Sequence, residues 1–109
     1  MAYAQGSVVL APATFNGGVR PYLVVSNDRR PFHGERYTVC VVTSTERDRT
    51  VTLTESELTE GELKISPSYA SPWSLHVFSH GEVLKRVAQV DDETVSAVAG
   101  EIRRLTEPT

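Results

Sequence analysis

The chain has 109 residues, the size of one domain built around a single hydrophobic core. With 39% hydrophobic and 23% charged residues it has the composition of a globular protein, and no apolar run approaches the ~20 residues that span a bilayer, so we expect no association with a membrane. The net charge of −3 argues against a protein that coats nucleic acid generally, and the single cysteine excludes an internal disulfide bond. Residues 1–6 have neither a basic start nor an apolar signal core, so we expect a cytoplasmic location.

Four short runs rich in β-branched and aromatic residues occupy the first half of the chain. Each is bounded by a cluster of Gly, Pro, Asn, Asp or Arg, which is typical of β-strands. The predicted strands are residues 7–10, 22–26, 37–43 and 50–53. The first three are continuously apolar, which indicates burial on both faces, as in a small closed barrel or at a dimer contact. Cys40, in the third strand, is expected to act as a small buried hydrophobe.

The middle of the chain combines a capping box, a loop and two further strands. Thr54 to Glu57 have the Ser/Thr-x-x-Glu form, which predicts one helical turn over residues 55–59 before Gly61 ends it. Residues 66–72 contain two prolines and several small residues, which predicts a loop. Alternating and β-branched residues then predict strands at 73–78 and 83–90, separated by a turn at Gly81.

The C-terminal segment has the pattern of an amphipathic helix. Acidic residues 91–93 complement a helix N-terminus, and Arg103 with Arg104 complements the last turn. An apolar stripe at helical spacing predicts the face that packs on the strands: Val95, Val98, Ala99, Ile102 and Leu105. Together these elements predict a mainly β fold in one domain over residues 1–109, a small SH3-like barrel covered by a C-terminal helix.

The sequence Gly-Gly-Val-Arg-Pro at residues 17–21 restricts the backbone around one arginine. The two glycines supply a bend that tolerates positive φ, and Pro21 biases Arg20 toward an extended conformation at the start of a strand. A guanidinium held there stays protonated and can donate two parallel hydrogen bonds to a phosphate or a carboxylate. The alternative interpretation is an ordinary solvated surface charge.

Positive charge is concentrated in the first half of the chain. Residues 1–53 carry six arginines against four acidic side chains, a net charge of +2, whereas the remainder has a net charge of −5. Such a distribution indicates a local anion-binding face on an acidic protein. Pairing of the arginines with the four carboxylates of the same half is the alternative. The loop arginines concerned are Arg29, Arg30, Arg47 and Arg49.

A cluster of hydroxyl groups, Thr43, Ser44 and Thr45, follows the third predicted strand. If the second and third strands are antiparallel neighbours, the end of the third lies at the same sheet edge as Arg20, so Arg20 and Thr43 are predicted to be neighbours. A turn stabilised by hydroxyl to backbone hydrogen bonds is the alternative for the cluster. The three histidines lack metal-ligand spacing and no phosphate-binding or dinucleotide motif occurs, so we expect a site without metal or cofactor.

Four motifs carry a resemblance to a known family: Gly6 followed by an apolar strand, Gly-Val-Arg-Pro at residues 18–21, the run at residues 23–28, and the strand that ends in Val-Thr-Ser at residues 42–44. In these motifs the chain resembles the MazF/PemK family of toxin endoribonucleases. The match covers about residues 6–45 and extends loosely to the terminal helix. The resemblance implies an SH3-like barrel that forms a homodimer, cuts single-stranded RNA at specific sequences without metal, and is neutralised by an antitoxin on a separate chain.

The resemblance also implies roles for individual residues. Arg20 and Thr43 correspond to the catalytic pair, and the ribose 2′-hydroxyl attacks the adjacent phosphate, leaving a cyclic phosphate and a free 5′-hydroxyl. Arg20 is suited to stabilise charge on the phosphorane and Thr43 to hold a phosphate oxygen. Proton transfer calls for a group that titrates near neutral pH, so His76 or His80 is a candidate acid or base. The expected RNA-binding residues are Ser44, Arg29, Arg30, Arg47 and Arg49.

Two departures from the family pattern keep a second hypothesis open. Ser7 stands where an acidic residue is common, and the loop after Pro12 is short. With the mild acidity, they motivate a second hypothesis, a non-catalytic binding module on the same barrel, including a toxin relative that inhibits a protein target such as a DNA gyrase.

Three aromatic residues are candidates for base stacking, although at least two of them are expected in the core: Tyr22, Phe32 and Tyr37.

Overall fold

The computed structural model describes residues 1–13 and 17–109, and in this part of the chain seven antiparallel strands form one sheet that curls into a nearly closed barrel. The strands are β1 (Ser7–Pro12), β2 (Val19–Val24), β3 (Arg36–Thr43), β4 (Val51–Leu53), β5 (Leu58–Gly61), β6 (Ser68–Ser79) and β7 (Lys85–Val90). Their order in the sheet is β4-β6-β3-β2-β1-β7-β5, and helix α1 (Asp92–Thr106) follows the last strand. The predicted mainly β barrel with a C-terminal helix is confirmed.

The central strands bury side chains on both faces, as their continuous apolar runs predict. On one face Val8, Leu23 and Cys40 belong to the core that α1 covers. On the other face Val9, Tyr22, Tyr37, Val39 and Phe78 form a second core. Removing a side chain of this size from water stabilises the fold by roughly 1.5–3 kcal/mol, so both faces contribute to the free energy of unfolding.

Helix α1 begins and packs largely as predicted. The Asp91 carboxylate accepts a hydrogen bond from the Thr94 backbone N–H at 2.8 Å, which caps the helix N-terminus. Val98 is buried, and Val95, Ala99 and Ile102 are partly buried, whereas the exposed fraction of Leu105 is 46%. Including Leu105 in the buried stripe was therefore wrong, and the buried part of the stripe ends at Ile102. Among the described residues, no helix is both long enough and apolar enough to cross a bilayer.

Three predicted segments differ from the structure. The capping box at Thr54 is present, but it caps only the 3-10 turn Glu55–Glu57, and Leu58–Gly61 continues as an edge strand because it pairs with β7. The predicted strand at 83–90 starts later, at Lys85, because His80–Glu82 forms a second 3-10 turn.

The predicted loop at residues 66–72 is wrong, because β6 already begins at Ser68. Along β6, Ser71 lies opposite Val41 and Leu75 lies opposite Cys40, so residues 72–74 have no partner on β3. This bulge accommodates Pro72, which has no N–H to donate to the neighbouring strand.

Candidate active site

Arg20 and Thr43 border one cleft at an end of the barrel. The register of β2 and β3 pairs Tyr22 with Val41, and Arg20 precedes Tyr22 by two residues as Thr43 follows Val41 by two, so both lie beyond the same end of this pairing. Both side chains are half-buried, and both line a cleft of about 1020 Å³. The structure thus brings together the two residues that strand order predicted to be neighbours.

The connection between β1 and β2 holds Arg20 in place. Gly17 and Gly18 have φ values of +65° and +76°, conformations that side-chain-bearing residues rarely adopt. The Ala13 N–H donates to the Gly18 carbonyl oxygen at 3.0 Å, and Arg20 pairs with Ala11 across the two strands. Toward the described residues the Arg20 guanidinium forms no hydrogen bond or ion pair, which leaves its donors available to an oxyanion. The loop after Pro12 includes residues 14–16, which lie outside the described residues.

A local hydrogen bond orients the hydroxyl of Thr43. Its Oγ1 accepts from the Thr45 backbone N–H at 3.2 Å, which is the turn interaction proposed above as the alternative. Because this bond uses a lone pair of the oxygen, the O–H remains able to donate to a ligand in the cleft. Ser44 is exposed and also lines the cleft.

The opposite wall of the cleft was missed by sequence reasoning. It consists of residues 62–65, Glu-Leu-Lys-Ile, which directly follow β5. Strand β5 pairs with β7 at the far edge of the sheet from β3, yet the residues that follow it line the same cleft as Thr43. No local pattern reveals such a contact, because it depends on how the barrel closes.

Two of the predicted RNA-binding arginines lie far from this cleft. Arg29 and Arg30 are on the connection from β2 to β3, whereas Thr43 is at the other end of β3, and neither arginine lines the cleft. The Arg30 Nε donates to Thr38 Oγ1 at 2.9 Å, so this guanidinium is engaged within the fold.

The other two arginines lie on the loop that follows Thr43. Arg47 is exposed, and its guanidinium forms no hydrogen bond or ion pair with any described residue. Arg49 Nη1 lies 3.7 Å from Glu101 Oε2 on α1, so part of its charge is already compensated. None of the four arginines lines the cleft; Arg47 is the nearest of them to Thr43 along the chain and is unpaired toward the described residues.

His80 is placed at the opposite end of the β3–β6 pair from Thr43. Its backbone N–H donates to the Glu35 carbonyl oxygen at 2.8 Å, and its Nδ1 lies 2.7 Å from the Tyr37 hydroxyl oxygen. The Tyr3 ring stacks on the imidazole with the ring centroids 5.1 Å apart. These contacts do not bring His80 together with Arg20 and Thr43.

His76 lies nearer than His80 to the Thr43 end of β3, but it is not among the residues that line the cleft. It pairs with Val39 in the sheet, and its ring centroid is 6.0 Å from that of Tyr22, which is two residues from Arg20 on the same face of β2.

Two of the three candidates for base stacking, Tyr22 and Tyr37, are fully buried, as predicted for at least two of them. Phe32 is 66% exposed but lies in the connection that carries Arg29.

The described residues contain no group of three or more His, Cys, Asp or Glu side chains arranged to hold a metal ion. The thiol is also unsuited to nucleophilic chemistry, because burial raises the pKa of Cys40 to about 12. The cleft therefore presents guanidinium, ammonium, carboxylate and hydroxyl groups rather than a thiolate.

The barrel and its helix define the fold class, and the comparison with known families identifies the family. The model of the family described as PemK-like, MazF-like toxin of type II toxin-antitoxin system matches residues 4–106. The chain therefore belongs to this family, which confirms the resemblance seen in its motifs. No curated protein matches the chain.

Solved structures with the same fold include three that are similar over nearly the whole chain. An endoribonuclease in complex with its cognate antitoxin, from a mycobacterial species, is 18% identical, with 99% of this chain and 97% of that chain covered and a TM-score of 0.75. A MazE-MazF structure from Deinococcus radiodurans is 20% identical, with 96% of each chain covered and a TM-score of 0.75. The Mycobacterium tuberculosis toxin MazF-mt6 is 17% identical, with 90% and 93% covered and a TM-score of 0.69.

Proposed function

We propose that the protein is an endoribonuclease that cleaves single-stranded RNA at specific sequences without a metal ion. The observation that carries the proposal is the meeting of Arg20 and Thr43 in one cleft, with a guanidinium that is unpaired toward the described residues. Membership in a toxin family and similarity to structures named endoribonuclease support it. In this proposal the toxin acts in the cytoplasm and is neutralised by an antitoxin on a separate chain.

The geometry suits a reaction in which the substrate's own 2′-hydroxyl is the nucleophile. The ribose 2′-oxygen attacks the adjacent phosphorus, the bond from phosphorus to the 5′-oxygen breaks, the 2′-hydroxyl loses its proton and the departing 5′-oxygen gains one. Arg20 donates to the non-bridging oxygens as charge grows on the phosphorane, and the Thr43 hydroxyl donates to one of them. Because the nucleophile is the 2′-hydroxyl, RNA is a substrate and DNA is not.

Proton transfer is assigned to His76 rather than to His80. His76 lies on the face of the sheet that also carries Tyr22 and Arg20, whereas the Nδ1 of His80 is engaged by Tyr37 at the far end of β3. An imidazole ring nitrogen can accept or donate a proton and so serves either step of the proton exchange. Of the arginines, Arg47 is proposed to bind RNA beside Ser44.

A homodimer is part of the proposal, with β6 as the contact surface. Trp73, Leu75 and Val77 are 42%, 40% and 54% exposed, and β6 contains no Asp, Glu, Lys or Arg. Two copies of a chain with a net charge of −3 repel each other least where they meet through an uncharged surface. Trp73 is the sole tryptophan, so its emission should shift to shorter wavelength as protein concentration rises, and Leu75→Glu should abolish the shift.

The function is tested by incubating purified protein with a mixed RNA in EDTA. Wild-type protein and Arg103→Ala, a change on the exposed end of α1, should cut the RNA to 5′-hydroxyl ends, whereas Arg20→Ala and Thr43→Ala should not. Cleavage by Arg20→Ala at the wild-type rate would refute the mechanism. Intact RNA in cells whose growth still stops on expression would instead support the alternative, a toxin that binds a protein target such as a DNA gyrase.

A further inference from the structure

The second wall of the cleft, residues 62–65, is anchored at both ends. The Glu62 N–H donates to the Val87 carbonyl oxygen at 3.3 Å, and Ser68 Oγ donates to the Ile65 carbonyl oxygen at 2.6 Å. Gly61, just before the wall, allows the two backbones to meet, because a Cβ there would lie 2.0 Å from the Val87 oxygen. A short segment fixed in this way can hold its side chains against a ligand with little loss of conformational freedom.

This wall adds a second cation to the cleft. Lys64 is exposed and forms no hydrogen bond or ion pair with any described residue. The neighbouring carboxylate of Glu60 lies 3.1 Å from Arg86 Nη1, which compensates it. Among the described residues that line the cleft, Arg20 and Lys64 are the cations and Glu62 is the carboxylate, so the cleft is net positive on an acidic protein. Such a cleft attracts a polyanion.

Apolar side chains complete the rim on both sides. Val19 next to Arg20 is 53% exposed, and Ile65 next to Lys64 is 56% exposed; both line the cleft. Each wall thus combines one cation with one exposed apolar side chain. A nucleic acid strand presents the matching chemistry, because charged phosphates alternate with bases that have apolar faces.

We infer that Lys64 binds a backbone phosphate next to the scissile phosphate. The scissile phosphate itself is held across the cleft by Arg20 and Thr43. The inference rests on the proposed RNA cleavage in this cleft. Lys64 meets a phosphate that does not react, so it binds substrate and transition state equally. Its loss should therefore raise KM and leave kcat unchanged.

The test measures binding to a strand that cannot be cut. A fluorescein-labelled single-stranded oligonucleotide of 2′-deoxyribonucleotides is titrated with protein over a series of NaCl concentrations, and affinity is read from anisotropy. Lys64→Gln should weaken binding about three- to fivefold at low salt, the size of one exposed charge contact. It should also reduce the slope of log K against log salt by about 0.7, the value for one phosphate contact on a single strand.

The chain offers a matched control, because its two lysines are Lys64 and Lys85. Lys85 is exposed on β7 and is not among the residues that line the cleft. Lys85→Gln and Lys64→Arg should both retain the wild-type slope. The inference is overturned if Lys64→Gln keeps the wild-type slope, if Lys85→Gln loses as much affinity, or if the wild-type protein does not bind at low salt.

The same variants separate this inference from the proposed function. If wild-type protein leaves RNA intact in EDTA, the proposed function fails, whereas a smaller salt slope for Lys64→Gln would still place a phosphate at Lys64. If wild-type protein cuts RNA and Lys64→Gln matches its KM, the proposed function stands and the role of Lys64 is refuted.

Discussion

The Tyr37 hydroxyl oxygen lies 2.7 Å from His80 Nδ1 and accepts a hydrogen bond from the Tyr3 backbone N–H at 3.2 Å. The one phenolic oxygen thus joins two partners, the Tyr3 backbone N–H and the His80 imidazole. Tyr37 is fully buried, so these bonds fasten the N-terminal segment and the turn after β6 to the second core. The arrangement gives His80 a structural role.

Tyr37→Phe should lower the free energy of unfolding by about 1–2 kcal/mol, because the Tyr3 N–H and His80 each lose a partner. His80→Phe should have a similar effect, and RNA cleavage by folded protein should change little in either variant. Urea denaturation and cleavage rates measured on the same samples check both points. If His80→Phe kept normal stability but lost cleavage, His80 would be the acid or base in the reaction and this account would be contradicted.

Two replacements of Thr43 should distinguish the effect of its hydroxyl on the cleavage rate from the effect of its side-chain shape. Thr43→Val keeps the branched side chain but removes the O–H, so kcat should fall by roughly 10²-fold, the usual cost of losing one donor to a developing oxyanion. Thr43→Ser keeps the hydroxyl and should retain most of the activity. Single-turnover cleavage of a short RNA measures both rates, and equal rates for the valine and serine variants would show that the hydroxyl is not used.

Gly61→Ala should destabilise the protein by about 1–3 kcal/mol, because a positive φ and a close contact both oppose a side chain there. Its φ is +74°, and the added Cβ would lie 2.0 Å from the Val87 carbonyl oxygen. Gly100→Ala is the matched control: on α1, where a Cβ meets nothing within 4 Å, it should instead stabilise by about 0.5–1 kcal/mol. Thermal unfolding of the two variants should shift in opposite directions, and a shift in the same direction would contradict this account.

Cys40 should resist thiol reagents at pH 8 until the protein unfolds. Burial raises the pKa of its thiol from 9.0 to about 12, so the unfolded chain loses this proton first as pH rises. Stability from this group is therefore complete below pH 9.0 and falls between pH 9.0 and about 12. Urea unfolding at several pH values should show an alkaline loss of about 1.4 kcal/mol per pH unit that is absent from Cys40→Ala.

The N-terminus of α1 should lose stability in acid. The hydrogen bonds from Thr94 to the Asp91 carboxylate lower the pKa of Asp91 below its ordinary value of 3.8. A depressed pKa contributes stability above the unfolded value, and this contribution is lost as pH falls through the folded value. Asp91→Ala should therefore melt below the wild type at neutral pH, with a smaller difference in acid. Asp91→Asn, which keeps an accepting oxygen, should melt closer to the wild type at neutral pH.

Local patterns in the sequence were sufficient to predict most of the elements and the central pair of the candidate site. Apolar runs and turn residues predicted β1, β2 and β3, although β2 lies at Val19–Val24 rather than at residues 22–26, and the capping and charge signals predicted the turn at Thr54 and helix α1. The proximity of Arg20 and Thr43 followed from one assumption, that consecutive strands pair in antiparallel fashion. That assumption needs only neighbouring segments, which is why it succeeded.

What the sequence by itself determined is thus the family, the barrel class and the two residues at the ends of β2 and β3. The tertiary structure alone decided which other side chains reach them, because closure of the barrel joins strands that are distant in sequence. Pairing of β5 with β7 brings Lys64 to the cleft, while the length of β3 carries Arg29, Arg30 and His80 to the opposite end. Periodicity and residue spacing describe one segment at a time, so neither outcome is encoded in a pattern that can be read along the chain.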